Sequence, residues 1–321
     1  MNNHFKEQFG RYFLNGEFEE IYGKTAKSFQ NLVSFEQFRE LSLDYNSDVS
    51  SYTCIVSNIF QGLERYIWVD DTYSKAVVIA FDDKNIIQGM YLKPFETYPS
   101  SDQIWTKNTY SMPINAEWYV FWGGTNQFIN YHYPYEQQRY AYDLVKMVNN
   151  DTFKNSKLQN ESYYAFGAEV VAPADGMVVE VIDGIKDNIP GEMDEENLAG
   201  NYCIIAHEHN EYSMIAHFKK DSICVKNGDK VKAGQLLGLC GNSGNSSEAH
   251  IHFQVMDHQD FLQAKSLRIQ FHGGAEPIQG DYVQPSSASK PESDTLDKIE
   301  NFVTAGELLL LLPRIIGQFF K

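Results

Sequence analysis

The segment Gly244–Val255, GNSSEAHIHFQV, sets His250 and His252 one residue apart inside an apolar run. Its alternation is that of a strand, on which residues i and i+2 face the same side, so both imidazoles project into one groove. Two buried imidazoles each need a partner. The pair suits one metal ligand beside an acid/base or oxyanion-stabilising group, or two ligands. His217 closes another strand-like run, YSMIAHF, and the upstream stretch INYHYPYEQQRYAYDLV offers His132 and Asp143. Mixed histidine and aspartate ligation is a zinc-type set, and a catalytic zinc needs three protein ligands and an open position. No HExxH sequence is present, so a glutamate base in the thermolysin manner is not indicated. The remaining histidines carry less chemistry. His207 and His209 straddle an expected turn, His258 and His272 follow the closing strand, and all four are expected in surface or edge roles. His4 and Asp70-Asp71 read as surface and turn residues.

Side chains scattered this widely have to be brought together by short strands. VVAPADGMVVEVIDG and VKNGDKVKAGQLLGLCGNSG supply them, with Asp-Gly, Asn-Gly and Ala-Gly turns. Gly241 and Gly244 shape the turn that delivers His250 and His252, and the acidic stretch 186–200 is an expected exposed loop. The start of the chain has another rhythm. Phe5, Phe9, Tyr12 and Phe13, then Phe18, Ile21 and Tyr22, recur at helical spacing, and Ser34 with Gln37 forms a capping box ahead of a further helix. From about residue 51 the period shortens to that of strands: TCIVSNIF, RYIWVD, KAVVIAFD, NIIQGMYL.

The expected organisation is an α+β accessory domain over 1–94, with helices on a curved antiparallel sheet, and a connecting segment over 95–125. A mainly antiparallel β domain over 126–283, a polar linker over 284–295 and an apolar C-terminal helix over 296–321 follow. Glu307, Pro313 and Arg314 interrupt the apolar tail, so it lacks the roughly 20 continuous apolar residues of a membrane span. It reads as a helix in intramolecular contact with the body, or as an interfacial membrane anchor.

Several elements recur in one order between His132 and Val255: the upstream histidine and aspartate, VVAPADGMVVEV, GNYCIIAHEHNEYSMIAHF, VKNGDKVKAGQLLGLCGNSG and the closing AHIHFQV. Together they resemble the lysostaphin-like zinc endopeptidases, the peptidoglycan-hydrolysing metallopeptidases also called the beta-lytic or Gly-Gly endopeptidase family. The resemblance implies that the β domain is a peptidase domain with Zn2+ held by His132, Asp143 and His252, and with His217 and His250 as non-ligand catalytic histidines. It further implies hydrolysis, through a metal-activated water, of a peptide bond in peptidoglycan cross-links or stem peptides. Family members usually carry the first two ligands as His-x-x-x-Asp, whereas PYEQQRYA lengthens the interval here. The first segment, on GEFEEIYGKTAKSFQNLVSFEQF and its element order, is similar to nuclear-transport-factor-2-like domains.

Bulk properties narrow the partners. With 321 residues and 43% hydrophobic content the chain can build two globular cores. A net charge of -17 argues against nucleic acid and against electrostatic adhesion to anionic lipid or wall polymer. Cys54, Cys203, Cys224 and Cys240 show no CxxC spacing and are expected as reduced thiols. The N-terminus shows no basic stretch followed by an apolar one, so the expected location is cytoplasmic or non-classically exported, although the implied substrate lies outside the membrane. Two rival functions remain in view. One is a catalytically inactive relative acting as a binding or activator module. The other is a phospho-, biotinyl- or lipoyl-type carrier, but ADGM and VKAG do not present the usual Met-Lys-Met or Asp-Lys-Ala of a modified lysine, and a phosphocarrier has no need of Asp143.

Overall fold

A computed structural model describes residues 3–285, in two compact units that divide after Phe95. Residues 286–321, with most of the expected linker and the whole expected C-terminal helix, lie outside the described residues.

In the first unit the aromatic periodicity becomes short helices: α1 (Asn3–Glu7), α2 (Phe9–Leu14), α3 (Phe18–Gly23), α4 (Lys27–Leu32) and α5 (Phe35–Tyr45). Ser34 caps α5 as its sequence implies: its hydroxyl accepts from the Gln37 amide and the Gln37 side chain accepts from the Ser34 amide. The strands β1 (Tyr52–Phe60), β2 (Leu63–Asp70), β3 (Lys75–Phe81) and β4 (Ile87–Pro94) form an antiparallel meander. Phe9, Phe13, Phe18, Ile21 and Phe38 from the helices pack on Tyr66, Trp68, Val77, Ile79 and Phe81 from the sheet. Each such side chain contributes roughly 1.5–3 kcal/mol through burial. Helix α2 meets the sheet at a glycine, because a Cβ on Gly10 would stand 2.6 Å from the Trp68 ring. Asp70 caps the β2–β3 turn by accepting from the amides of Thr72, Ser74 and Lys75.

The second unit is mainly antiparallel β, as expected. Its strands are β5 (Trp105–Tyr110), β6 (Trp118–Trp122), β7 (Tyr142–Val145), β8 (Glu169–Val171), β9 (Gly176–Ile182) and β10 (Asn201–Ala206), followed by β11 (Tyr212–Phe218), β12 (Lys230–Val231), β13 (Leu236–Leu239), β14 (Ile251–Met256), β15 (Arg268–Phe271) and β16 (Tyr282–Val283). Eight of them form one sheet in the order β12-β9-β10-β11-β14-β7-β6-β16; β13–β8 and β15–β5 are separate pairs. Of the expected connecting segment 95–125, all but Phe95 lies within this unit: β6 pairs with β7, and Trp118 and Val120 enter the core. On β14, Ile251, Phe253 and Val255 join that core, which turns His252, Gln254 and Met256 to the opposite face. The four cysteines are free thiols, and no helix among the described residues is long and apolar enough to cross a membrane.

Candidate metal centre

Sheet register makes the first contact. His252 on β14 lies directly opposite Asp143 on β7, and His252 Nδ1 stands 3.0 Å from Asp143 Oδ1. His132 arrives from a loop, with Nε2 at 3.1 Å from Asp143 Oδ2. One candidate ligand atom from each of the three residues lies within 4.8 Å of the others. All three are buried, with 1%, 4% and 7% exposure for His132, Asp143 and His252.

The long interval between His132 and Asp143 is a folded loop rather than a slack one. The side-chain amide of Asn130 donates to the carbonyls of Gly124, Arg139 and Ala141, at 3.0, 3.2 and 3.2 Å, while its oxygen accepts from the His132 amide. One buried residue thereby ties the start of the loop to its end. The Tyr131 ring packs against the His132 ring, with centres 3.9 Å apart.

Hydrogen bonds also assign the imidazole nitrogens. Gln254 Nε2 donates to the Gln137 carbonyl at 3.1 Å, so its oxygen faces His252 Nε2 at 3.0 Å and accepts from it. His252 thus turns Nδ1 to Asp143, donating to the carboxylate while that nitrogen is protonated and offering a lone pair to a metal once the proton leaves. His217 Nδ1 lies 2.8 Å from the Ser243 carbonyl, and His250 Nδ1 lies 2.9 Å from the Glu248 carbonyl. Carbonyls only accept, so both rings carry a proton on Nδ1, which turns Nε2 of each towards the shared centre. His250 Nε2 lies 3.8 Å from Asp143 Oδ1, and the His217 and His250 ring centres are 4.7 Å apart.

Backbone geometry holds this second pair. His217 adopts φ +66°, a left-handed conformation that a β11 strand residue rarely takes. The turn of β11's partner segment is packed to match: a Cβ on Gly200 would stand 2.4 Å from the Ser243 carbonyl oxygen, and one on Gly244 would stand 2.3 Å from the Gly200 nitrogen. These close approaches seat the Ser243 carbonyl against His217.

Burial alone would raise the Asp143 carboxyl, but the His132 and His250 imidazoles and the hydrogen bonds of His132 and His252 outweigh it and hold the group well below its usual range. Burial holds His217 well below its usual value, with His250 and His252 adding to the effect, so its ring is neutral. A buried carboxylate facing two imidazole nitrogens, each with its other hydrogen-bonding side pointing away from the shared centre, fits a divalent cation. The donor set of two nitrogens and one carboxylate oxygen is one that zinc takes. His132 Nδ1, buried and without a hydrogen-bond partner among the described residues, lies on the side of its ring away from Asp143.

All five residues singled out by sequence come together here: His132, Asp143 and His252 as one group, with His217 and His250 beside it. One other expectation is refined. His207, expected at the surface or an edge, is half-buried, bonding the Asp175 carbonyl and the Ser213 hydroxyl at 2.8 Å each. Asn130, Tyr131 and Gln254 carried no sequence signal, since their roles arise from loop closure and from a cross-strand amide orientation.

Gln254→Leu is expected to weaken zinc binding roughly 10–100-fold, the usual cost of losing a partner that orients a metal ligand. Competition with a chromogenic chelator reads this directly, and an unchanged affinity would refute the role given to Gln254.

Glu248 gives a second expectation. Its residue is only part-buried, but its carboxyl is enclosed, and burial pushes that carboxyl from 4.5 up to about 7 against a 3.2 Å hydrogen bond from Thr152 and the nearby Lys157. The folded state therefore binds this proton more tightly than the unfolded chain does. Its stabilisation is complete below the unfolded value and is lost as pH rises through 7. Glu248→Gln is expected to remove a difference on the order of 1–3 kcal/mol in unfolding free energy between pH 5 and pH 8. Urea denaturation at both pH values measures it, and a variant with the wild-type slope would count against the assignment.

The second unit is similar to known proteins in sequence. Residues 162–264 match peptidase family M23, so the second unit carries a domain of that family, with His217, His250 and His252 inside the match. An uncharacterized metalloprotease of Buchnera aphidicola is 27% identical over 171 residues, 50% of this chain and 43% of that protein. The peptidoglycan DD-endopeptidase ShyA of Vibrio cholerae is 34% identical over 90 residues, 28% of this chain and 18% of that protein. This chain thus spans less than half the length of these relatives. Among solved structures, the catalytic domain of lysostaphin from Staphylococcus simulans is 24% identical with a TM-score of 0.27, over 47% of this chain and 88% of that one.

Proposed function

We propose that this chain is a zinc-dependent endopeptidase that hydrolyses a peptide bond of bacterial peptidoglycan, with His132, Asp143 and His252 as ligands and His217 and His250 as catalytic residues. The observation that carries the reading is the convergence of three buried ligand atoms within 4.8 Å beside two imidazoles whose Nδ1 atoms are already engaged. The names of the relatives, peptidoglycan endopeptidases among them, support the substrate class.

A bound zinc ion supplies Lewis acidity, polarising a carbonyl and acidifying water near neutral pH. The protein's own residues do the rest. His217, held neutral by burial, presents an unprotonated Nε2 that takes a proton from the attacking water, and His250, turned the same way beside it, is the second proton carrier. The ring that has taken it then donates to the developing oxyanion or the leaving amine. The Ser243 and Glu248 carbonyls keep both rings in this tautomer through the cycle. Because the substrate lies outside the cytoplasmic membrane, the proposal entails export or action after lysis.

The test is release of peptides from purified peptidoglycan, followed by mass spectrometry, with the protein as prepared, after chelation, and after zinc is restored. Release that chelation stops and zinc restores supports the reading. Zinc-loaded protein that cuts nothing sinks it.

A further inference from the structure

Outside the metal centre, one buried cation has no protein counter-charge. Arg139, in the loop between His132 and Asp143, is 6% exposed. Its Nε donates to the Tyr133 carbonyl at 3.0 Å, and its guanidinium carbon stacks 3.6 Å from the centre of the Tyr98 ring. The stack satisfies one face of the group and leaves the Nη edge. Among the described residues, those Nη atoms have no hydrogen-bond partner and no carboxylate lies within ion-pair distance of Arg139. A guanidinium carries five N–H donors and no acceptor, so the Nη edge that reaches the neighbouring cavity is a set of donors free for a ligand.

Arg139 lines a cavity of about 390 Å³, together with Tyr98, Ser100, Lys265 and the apolar Leu267. The carboxylates around it are committed elsewhere. Glu136, on the same wall, pairs with Lys265 Nζ at 3.1 Å, and Asp257 Oδ1 accepts from the Lys265 amide at 2.8 Å. The two oxygens of Asp102 each accept a tyrosine hydroxyl at 2.8 Å, from Tyr133 and Tyr140.

We propose that this cavity is a binding site for a carboxylate, taken by the free Nη edge of Arg139. A planar, singly charged carboxylate matches the fork of a guanidinium with two parallel hydrogen bonds. A doubly charged phosphate is disfavoured, because Glu136 and Asp257 share the cavity. The volume holds a group the size of one or two amino acids, and Leu267 and the Tyr98 ring offer apolar contact beside the charge. The ligand is therefore the carboxyl end of a short peptide or a small free carboxylic acid. The inference does not depend on the metal chemistry.

Ligand-observed NMR with the full chain tests it, using N-acetylalanine, N-acetylalaninamide, acetate and inorganic phosphate as probes. N-acetylalanine is expected to bind, and to bind at least tenfold more weakly to Arg139→Gln. The uncharged amide is expected to bind at least tenfold more weakly than the acid. Acetate binding as tightly as N-acetylalanine would mark the site as one for small free acids, and a preference for N-acetylalanine would mark a peptide end. Asp143→Ala, which removes a metal ligand, is expected to keep this binding. Loss there would place the carboxylate at the metal centre and overturn the proposal. Equal binding of acid and amide, tighter binding of phosphate, unchanged binding by Arg139→Gln, or no binding up to roughly 10 mM would overturn it too. Should Arg139→Gln fail to fold, Arg139→Lys keeps the charge without the fork. It is expected to weaken N-acetylalanine at least threefold, and wild-type affinity in that variant would refute the fork.

Discussion

Asp143→Ala is expected to leave a folded protein that no longer holds zinc and no longer cuts. The carboxylate sits at the centre of the group, with one oxygen facing His252 Nδ1 and the other facing His132 Nε2. Its removal takes one of the three proposed ligands and the only negative charge among them. Loss of a mere orienting partner already costs 10–100-fold in metal affinity, so loss of this ligand is expected to cost roughly 100-fold or more. Zinc per chain falls from about one to near zero after dialysis, and peptide release falls to background. Stability gives a readout free of catalysis. A ligand at a hundred times its Kd stabilises the native state by about 2.7 kcal/mol, so zinc should raise the wild-type Tm and leave that of Asp143→Ala in place. A variant that keeps both its zinc and its zinc-dependent Tm shift would remove Asp143 from the ligand set. Asp143→Asn separates charge from shape, since it fills the same space and still accepts from an imidazole.

How far the sequence foretells this site depends on whether each feature is local. The pair His250 and His252 is legible because a strand alternates its faces, and the structure keeps Ile251 and Phe253 in the core and His252 on the other face. The helices and meander of the first unit are legible for the same reason: Phe9, Phe13 and Phe18 repeat at helical spacing, and Ser34 with Gln37 is a complete cap. Partners across the sheet are not local. That Asp143 lies opposite His252 is a matter of register between strands more than a hundred residues apart. The stretch PYEQQRYA shows only as a lengthened interval. That Asn130 clasps its two ends, and that Arg139 within it faces a cavity, depends on three carbonyls and an aromatic ring brought together by folding. The 95–125 stretch reads as a connector with short strands, and that its β6 lies in the main sheet between β7 and β16 is again a matter of pairing with distant segments.

His217→Asn tests the chemistry without touching the metal. The position holds φ +66°, which most side chains resist but asparagine accepts readily, so the backbone should persist. The asparagine amide can also donate to the Ser243 carbonyl, which His217 Nδ1 does at 2.8 Å. What the variant lacks is the second ring nitrogen, the lone pair given above to proton transfer. Zinc content is expected to stay near one per chain and the zinc-dependent Tm shift to survive, while kcat falls roughly 10²–10⁴-fold, the usual worth of a positioned acid or base. The companion His250→Ala should behave alike. Because the two rings lie 4.7 Å apart and would share one proton inventory, the double variant is expected to lose little more than the worse single one. Losses that multiply would instead mean that the two histidines act in separate steps. A His217→Asn enzyme within threefold of wild-type kcat would leave His250 as the sole proton carrier and reduce the left-handed His217 to a structural wedge.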